Sequence, residues 1–212
     1  SDAGVYVGRR SHDITIQNCV TFENVTGIEI TNSSFIQAYG NESFNNAAGF
    51  LVALLPGFPD APPISVSNIW LSGNHVHDNN LPNFADHGLE QFIPSGSGML
   101  IIGIDDSIIE YNTVTGNQFV GIGVGNTGLL AELAGTPVGD IEPFPDRVRV
   151  IGNTATGNGG TQPIDFLPPA ASVDLLWDGT GTGNCWSGND FGSSLNLDLA
   201  GGSPSPALPA CD

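Results

Sequence analysis

With 212 residues, 40% of them hydrophobic, the chain is long enough to bury a sizeable core and too apolar to be disordered. Four Lys+Arg against 22 Asp+Glu give a formal net charge of −18; lysine is absent, and the basic residues are Arg9, Arg10, Arg147 and Arg149. That field excludes nucleic acid and anionic membrane surfaces as partners, and no run approaches the ~18 consecutive apolar residues of a membrane span.

Along the chain three short strand patterns alternate. The first is a small residue, Gly, then apolar-any-apolar: AGVYV at Ala3, TGIEI at Thr26, AGFLV at Ala48, SGMLI at Ser97 and VGIGV at Val120. The second is an apolar strand: ITIQ at Ile14, FIQA at Phe35, IWLS at Ile69, IIEY at Ile108 and VRVI at Val148. The third is an asparagine motif, NESFNN at Asn41, NHVHDN at Asn74, NTVTGN at Asn112, NTATGN at Asn153 and NCWSGN at Asn184, with a looser copy, NCVTFEN, at Asn18. The starting asparagines lie 23, 33, 38, 41 and 31 residues apart. The shortest interval suits one turn of three short strands, and the longer ones require loop insertions.

A self-similar unit whose strands are each too short to stand alone predicts an all-β solenoid. The expected form is a right-handed parallel β-helix of about six coils, with insertions in the middle coils. It is expected to fill a single domain, 1–212, with coil strands to about 191 and a C-terminal tail over 192–212. A sandwich of hairpins would instead need Asn-Gly or Asp-Gly turns between neighbouring strands. Period-two alternation places Val20, Ser43, Val76, Val114, Ala155 and Trp186 in one inward column, and Val5, Ile28, Phe50, Met99 and Ile122 in another. The repeated asparagines fit a ladder in which each side-chain amide bonds its equivalent one coil away. That role, rather than glycosylation, accounts for the sequons at Asn24, Asn32 and Asn41.

Cys185 and Cys211 flank the tail, and a bridge between them would close a loop of about 26 residues, worth about 3 kcal/mol. Cys19 would remain a free thiol. A disulfide implies an oxidising compartment, and no signal peptide is visible at Ser1, as in a processed chain. A secreted or periplasmic location is therefore expected.

SDAGVYVG at the start, the NxVxxN coils, NLPNFA after the third coil and GNCWSGN with a late cysteine together resemble exported bacterial parallel β-helix (PbH1) repeat-containing proteins. These belong to the broader carbohydrate-binding and sugar-hydrolase β-helix group, and the resemblance runs from about Ser1 to Cys211. It implies a secreted or lipid-anchored β-helix, further coils upstream, and a c-type-cytochrome-like protein as a partner. It carries no catalytic residues with it.

Long loops fall at Ala53 to Asn68, Leu81 to Ser97 and Asn126 to Arg147. They would either wall a groove over Tyr6, Glu29, Leu51, Leu100 and Gly123 or cover that face with segments such as LLPGFPDAPP; the apolar character of Leu51 and Leu100 favours cover. His75 and His77, two strand positions apart with Val76 inward, project on one face at a spacing that chelates a metal. Asp86, His87 and Glu90 would complete the site, as metal ligands or acid–base groups, if their loop folds back. The plainer reading is that the histidines occupy outward positions filled elsewhere by Thr113, Thr115, Thr154 and Thr156.

Asp105–Asp106 resembles the paired aspartates of polygalacturonase-like hydrolases, but GIDDSIIEY reads as a turn. With lysine absent, no polysaccharide lyase site is recognisable, and no DxDxDG loop marks a calcium site, so a divalent cation (calcium or a transition metal) is supported by composition alone. The sequence thus points to a β-helix that binds, and in a lyase- or hydrolase-like version processes, polysaccharide. Two alternatives are a fibre of coils stacked end to end and a metal-binding accessory to an exported redox partner.

Overall fold

A computed structural model of the protein describes residues 1–56 and 63–212. The chain visits three parallel sheets in a fixed cyclic order, one course after another. The first sheet has seven strands: Ala3–Val7, Thr26–Thr31, Ala48–Ala53, Ser97–Ile102, Val120–Gly125, Val173–Trp177 and Ser194–Asn196. The second has six: His12–Gln17, Ser34–Tyr39, Ile69–Ser72, Ile108–Glu110, Arg149–Ile151 and Cys185–Ser187. The third also has six: Val20–Thr21, Glu42–Phe44, His75–His77, Thr113–Thr115, Thr154–Thr156 and Asp190–Phe191. All pairings between named strands are parallel, an arrangement consistent with an all-β parallel solenoid. Strand pairing runs past residue 191, because Ser194–Asn196 closes the first sheet.

The inward column Val5, Ile28, Phe50, Met99 and Ile122 is in register from strand to strand and continues into Leu175. These side chains join Ile36, Leu71, Val76, Ile109, Val114 and Val150 in one core running through every course. The glycine of the first motif is dictated by this stacking. A Cβ on Gly49 would lie 2.7 Å from the carbonyl oxygen of Gly98 and 2.9 Å from Nδ2 of Asn79, so any side chain would push two courses apart.

The asparagines form two ladders. In one, the backbone N–H and Nδ2 of Asn41 both donate to Oδ1 of Asn74, and the pattern repeats from Asn74 to Asn112, Asn112 to Asn153 and Asn153 to Asn189, at 2.9–3.0 Å. The other runs Asn24, Asn46, Asn79, Asn117, Asn158 and ends on Asp174. Each rung donates forward and accepts from behind. The last member needs only acceptors, and a carboxylate supplies only acceptors. Asp174 takes both Asn158 donors on Oδ1, while Oδ2 accepts from the N–H groups of Gly192 and Ser193 and the Ser193 hydroxyl. Asn24, Asn32 and Asn41 are all buried, which removes the sequons as glycan acceptors.

Two copies of the motif sit in a different register from the one their letters suggest. In NCVTFEN the spacing between asparagines is one residue longer, and it is Asn24 that matches Asn46 while Cys19 takes the place of Asn41. Thr21, not Val20, therefore points inward, and Val20 is 57% exposed. In NCWSGN the ladder residue is Asn189; Trp186 lies one sheet earlier, inward beside Val150, and Phe191 stands opposite Ala155.

Cys185 and Cys211 are bridged, and Cys19 is a free thiol. The tail continues the stacking, since Trp186 N–H donates to the Pro209 carbonyl and Cys211 N–H to that of Trp186. Changing both bridge cysteines to serine is expected to lower unfolding stability by about 3 kcal/mol, the loop-closure value for a separation of 26. Urea denaturation with and without reductant checks this: reductant should destabilise the parent and leave the double variant unmoved. No helix among the described residues is long and apolar enough to cross a membrane.

Candidate functional site

Each sheet turns a different outer face to its surroundings. The face of the first sheet is covered. Leu51, Leu100, Gly123, Leu176 and Leu195 are in register along it, and the leucines pack against Leu89 and Ile93, against Leu130 and Leu133 of the helix Thr127–Ala134, and against Ile164, Leu167 and Ala171. The sequence treats 126–147 as loop only, but TGLLAELAG makes two helical turns that Gly135 ends in the left-handed conformation. Part of LLPGFPDAPP lies outside the described residues; its first residues, Leu54 to Pro56, are buried.

Glu29 is caught under this cover, 2% exposed, in register between Tyr6 and Leu51. Loss of hydration, reinforced by Glu90 and Asp2, raises its carboxyl from 4.5 to about 8, so it is held protonated at neutral pH.

The third sheet carries the histidines. His75 stands directly opposite Glu42 on one side and Thr113 on the other; His77 stands between Phe44 and Thr115. Both imidazoles point out of the sheet, with rings stacked at 4.2 Å. Glu42 Oε1 lies 3.3 Å from His77 Nε2 and 3.8 Å from His75 Nδ1, and Asp78 Oδ2 lies 2.9 Å from His77 Nδ1. Phe44 stacks on His77 and Phe22 on Phe44, so each ring covers the next one's face.

The predicted third ligands are not those the structure brings together. Among the described residues the cluster of metal-ligating groups is Glu42, His75 and His77. Asp86 and His87 pair with each other, and the charges His87 feels beyond that are Asp2 and Glu90, on the side of the covered face. That pairing lowers the Asp86 carboxyl and raises the His87 imidazole. Their loop folds toward the first sheet because Leu89 and Ile93 belong to its apolar cover. Glu42 was recoverable from the sequence: laying NESFNN on NHVHDN puts it at the His75 position.

Asp105 ends a short strand, Ile104–Asp105, and Asp106 lies in the bend after it, where the sequence expects both to sit in a turn. Asp105 pairs with Ser67 in a short two-stranded ladder, and Asp106 takes a positive φ and binds Arg147 through two hydrogen bonds, 2.5 and 2.9 Å. Burial raises Asp105 to about 6, partly opposed by the N–H of Asp146; the Arg147 guanidinium holds Asp106 low. The two carboxyls are thus committed to separate structural partners.

Among the described residues no apolar cluster covers the face of the second sheet, which is chemically mixed. Gln17, Tyr39, Ser72, Glu110 and Ile151 form one outward column, and Gln37, Trp70, Ile108 and Arg149 the next. Tyr39 and Trp70 meet at 5.9 Å, tilted 41°. Their polar tips are tied, the Tyr39 hydroxyl donating to Gln17 Oε1 at 2.5 Å and Trp70 Nε1–H to Glu110 Oε1 at 2.8 Å. Tyr111, 64% exposed, follows Glu110 and lies over Gly152. At the sheet spacing of about 4.8 Å, five courses give a strip about 20 Å long. Loops are visible in a sequence, and they point to the first sheet, where cover is the favoured reading; an exposed sheet face leaves no such mark.

In comparisons with known proteins the chain matches no protein-family model and no curated protein.

Proposed function

We propose that the chain is an exported right-handed parallel β-helix that binds neutral polysaccharide along the outer face of its second sheet. The cyclic order of three parallel sheets supports the fold, and the right-handed preference of parallel crossovers gives its hand. The Cys185–Cys211 bridge is consistent with an oxidising compartment and so with export. The observation that carries the function is the strip from Gln17 through Tyr39 and Trp70 to Glu110 and Arg149. Sugar rings offer apolar faces and hydroxyl edges, and this strip offers fixed aromatic rings flanked by amide, carboxylate and guanidinium groups. Its length suits several consecutive residues of an extended chain. The net charge of −18 disfavours polyuronates and leaves neutral glycans as the better substrate class.

Affinity electrophoresis through gels containing neutral or acidic polysaccharides tests this. Retardation by a neutral glycan is expected, weakened about tenfold or more by Trp70→Ala, since a rigid aromatic anchor dominates such contacts. Equal retardation of parent and variant would remove the second sheet as the binding face.

A further inference from the structure

The third sheet carries a second, independent site. We propose that Glu42, His75 and His77 together hold one divalent transition-metal ion, with Asp78 orienting His77. Four features of the strand stacking lead there.

The ligand atoms already converge. One atom from each of the three residues lies within 4.8 Å of the others, and the closest pair, His77 Nε2 and Glu42 Oε1, is 3.3 Å apart. Metal–ligand distances of about 2.0–2.2 Å require neighbouring donors roughly 3–3.5 Å apart. Only His75 must turn inward, and it is half exposed and free to do so.

Asp78 is placed to orient the ring. Its Oδ2 lies 2.9 Å from His77 Nδ1, so a ring protonated on Nδ1 toward Asp78 presents its Nε2 lone pair on the Glu42 side, where a cation would replace the direct Nε2–Glu42 contact. A carboxylate behind a ligating histidine is the usual way such a ring is oriented.

The scaffold is rigid. The strands of Glu42 and His75 are paired in register, and both are pinned at their ends by the ladder residues Asn41, Asn74, Asn46 and Asn79. Ligands on such strands lose little freedom on binding.

The donor set selects the ion. Two imidazoles and one carboxylate suit zinc, copper or nickel, whereas calcium takes six to eight oxygens. Side-chain exposures of 50% for His75 and 44% for Glu42 leave further coordination positions open to water or a ligand.

The test is isothermal titration of chelator-treated protein with zinc chloride, and separately with calcium chloride. One zinc per chain is expected, with no calcium heat. His75→Ala and His77→Ala should each abolish the zinc isotherm, and Asp78→Asn should weaken it about tenfold or more. The double variant His12→Ala/His87→Ala removes the other two histidines of the chain and should bind as the parent does. The altered positions are outward-facing, so each variant is first shown to unfold at the parent's urea midpoint. Absence of zinc binding, binding that survives loss of His75 and His77, loss of binding in the His12/His87 variant, or preferential calcium uptake would each overturn the site.

Discussion

Replacing Asn112 by alanine is expected to cost about 3–5 kcal/mol of unfolding stability, a large effect for one polar side chain. Asn112 lies mid-ladder and is 1% exposed. Its Oδ1 accepts both the backbone N–H and Nδ2 of Asn74, and its Nδ2 donates to Asn153 Oδ1 and to the Leu71 carbonyl. Alanine strands two buried N–H donors of Asn74 and leaves the Leu71 carbonyl and Asn153 Oδ1 without their Asn112 donor. The informative companion is Asn112→Asp. It preserves shape and the acceptor for Asn74, but sets carboxylate oxygen against two oxygens that were accepting from an amide. It should be at least as damaging as alanine. Asp174, by contrast, is met by donors at both carboxylate oxygens, so Asp174→Asn should also destabilise, because its amide would face the N–H groups of Gly192 and Ser193. Urea denaturation of the Asn112 pair checks the ladder. Losses below 1 kcal/mol in both would mean that the amides are not coupling the courses.

The second large effect is a pH dependence. Glu29 titrates at about 8 in the folded chain against 4.5 when exposed. Below pH 4.5 the carboxyl is protonated in both states and its burial carries no ionic cost. Between 4.5 and 8 the unfolded chain releases a proton that the folded chain retains, so stability falls as pH rises, and the loss is complete above 8. The full span corresponds to a contribution of about 5 kcal/mol. Glu29→Gln keeps the shape and removes the titration. The variant should match the parent near pH 4, exceed it by several kcal/mol at pH 9, and show a flatter profile between. Parallel profiles for parent and variant would mean that the carboxyl reaches solvent in its charged form.

The course structure was legible from the sequence because it is enforced by repetition. The glycine of AGFLV, the inward column from Val5 to Ile122 and the asparagine spacing all reflect contacts that each course must make with the next. What was misread lies where the letters repeat but the register does not. NCVTFEN carries one residue more between its asparagines, and NCWSGN straddles two sheets, so pattern matching put Val20 and Trp186 in a column where Thr21 and Phe191 belong. His75 and His77 were visible because they share one strand. Their partner Glu42 comes from the preceding course, 33 residues before His75, and is seen only when the two asparagine motifs are laid on each other in register. The loop residues Asp86, His87 and Glu90 were assigned by proximity in sequence, but the apolar neighbours Leu89 and Ile93 decide where that loop packs. Trp70 sits in the repeated strand motif IWLS, but that motif does not say whether the outer face is covered; among the described residues no apolar cluster covers it.

Tryptophan fluorescence during polysaccharide titration tests the binding face most directly. The chain has three tryptophans; Trp70 alone stands on the open strip, while Trp177 and Trp186 pack together against the core at 5.4 Å. Saturating neutral glycan is expected to shift and protect the emission of the parent protein from quenching by acrylamide, and to leave the Trp70→Phe variant unchanged. A glycan-induced change of the same size in both proteins, or saturation with no change in the parent, would contradict binding along the second sheet.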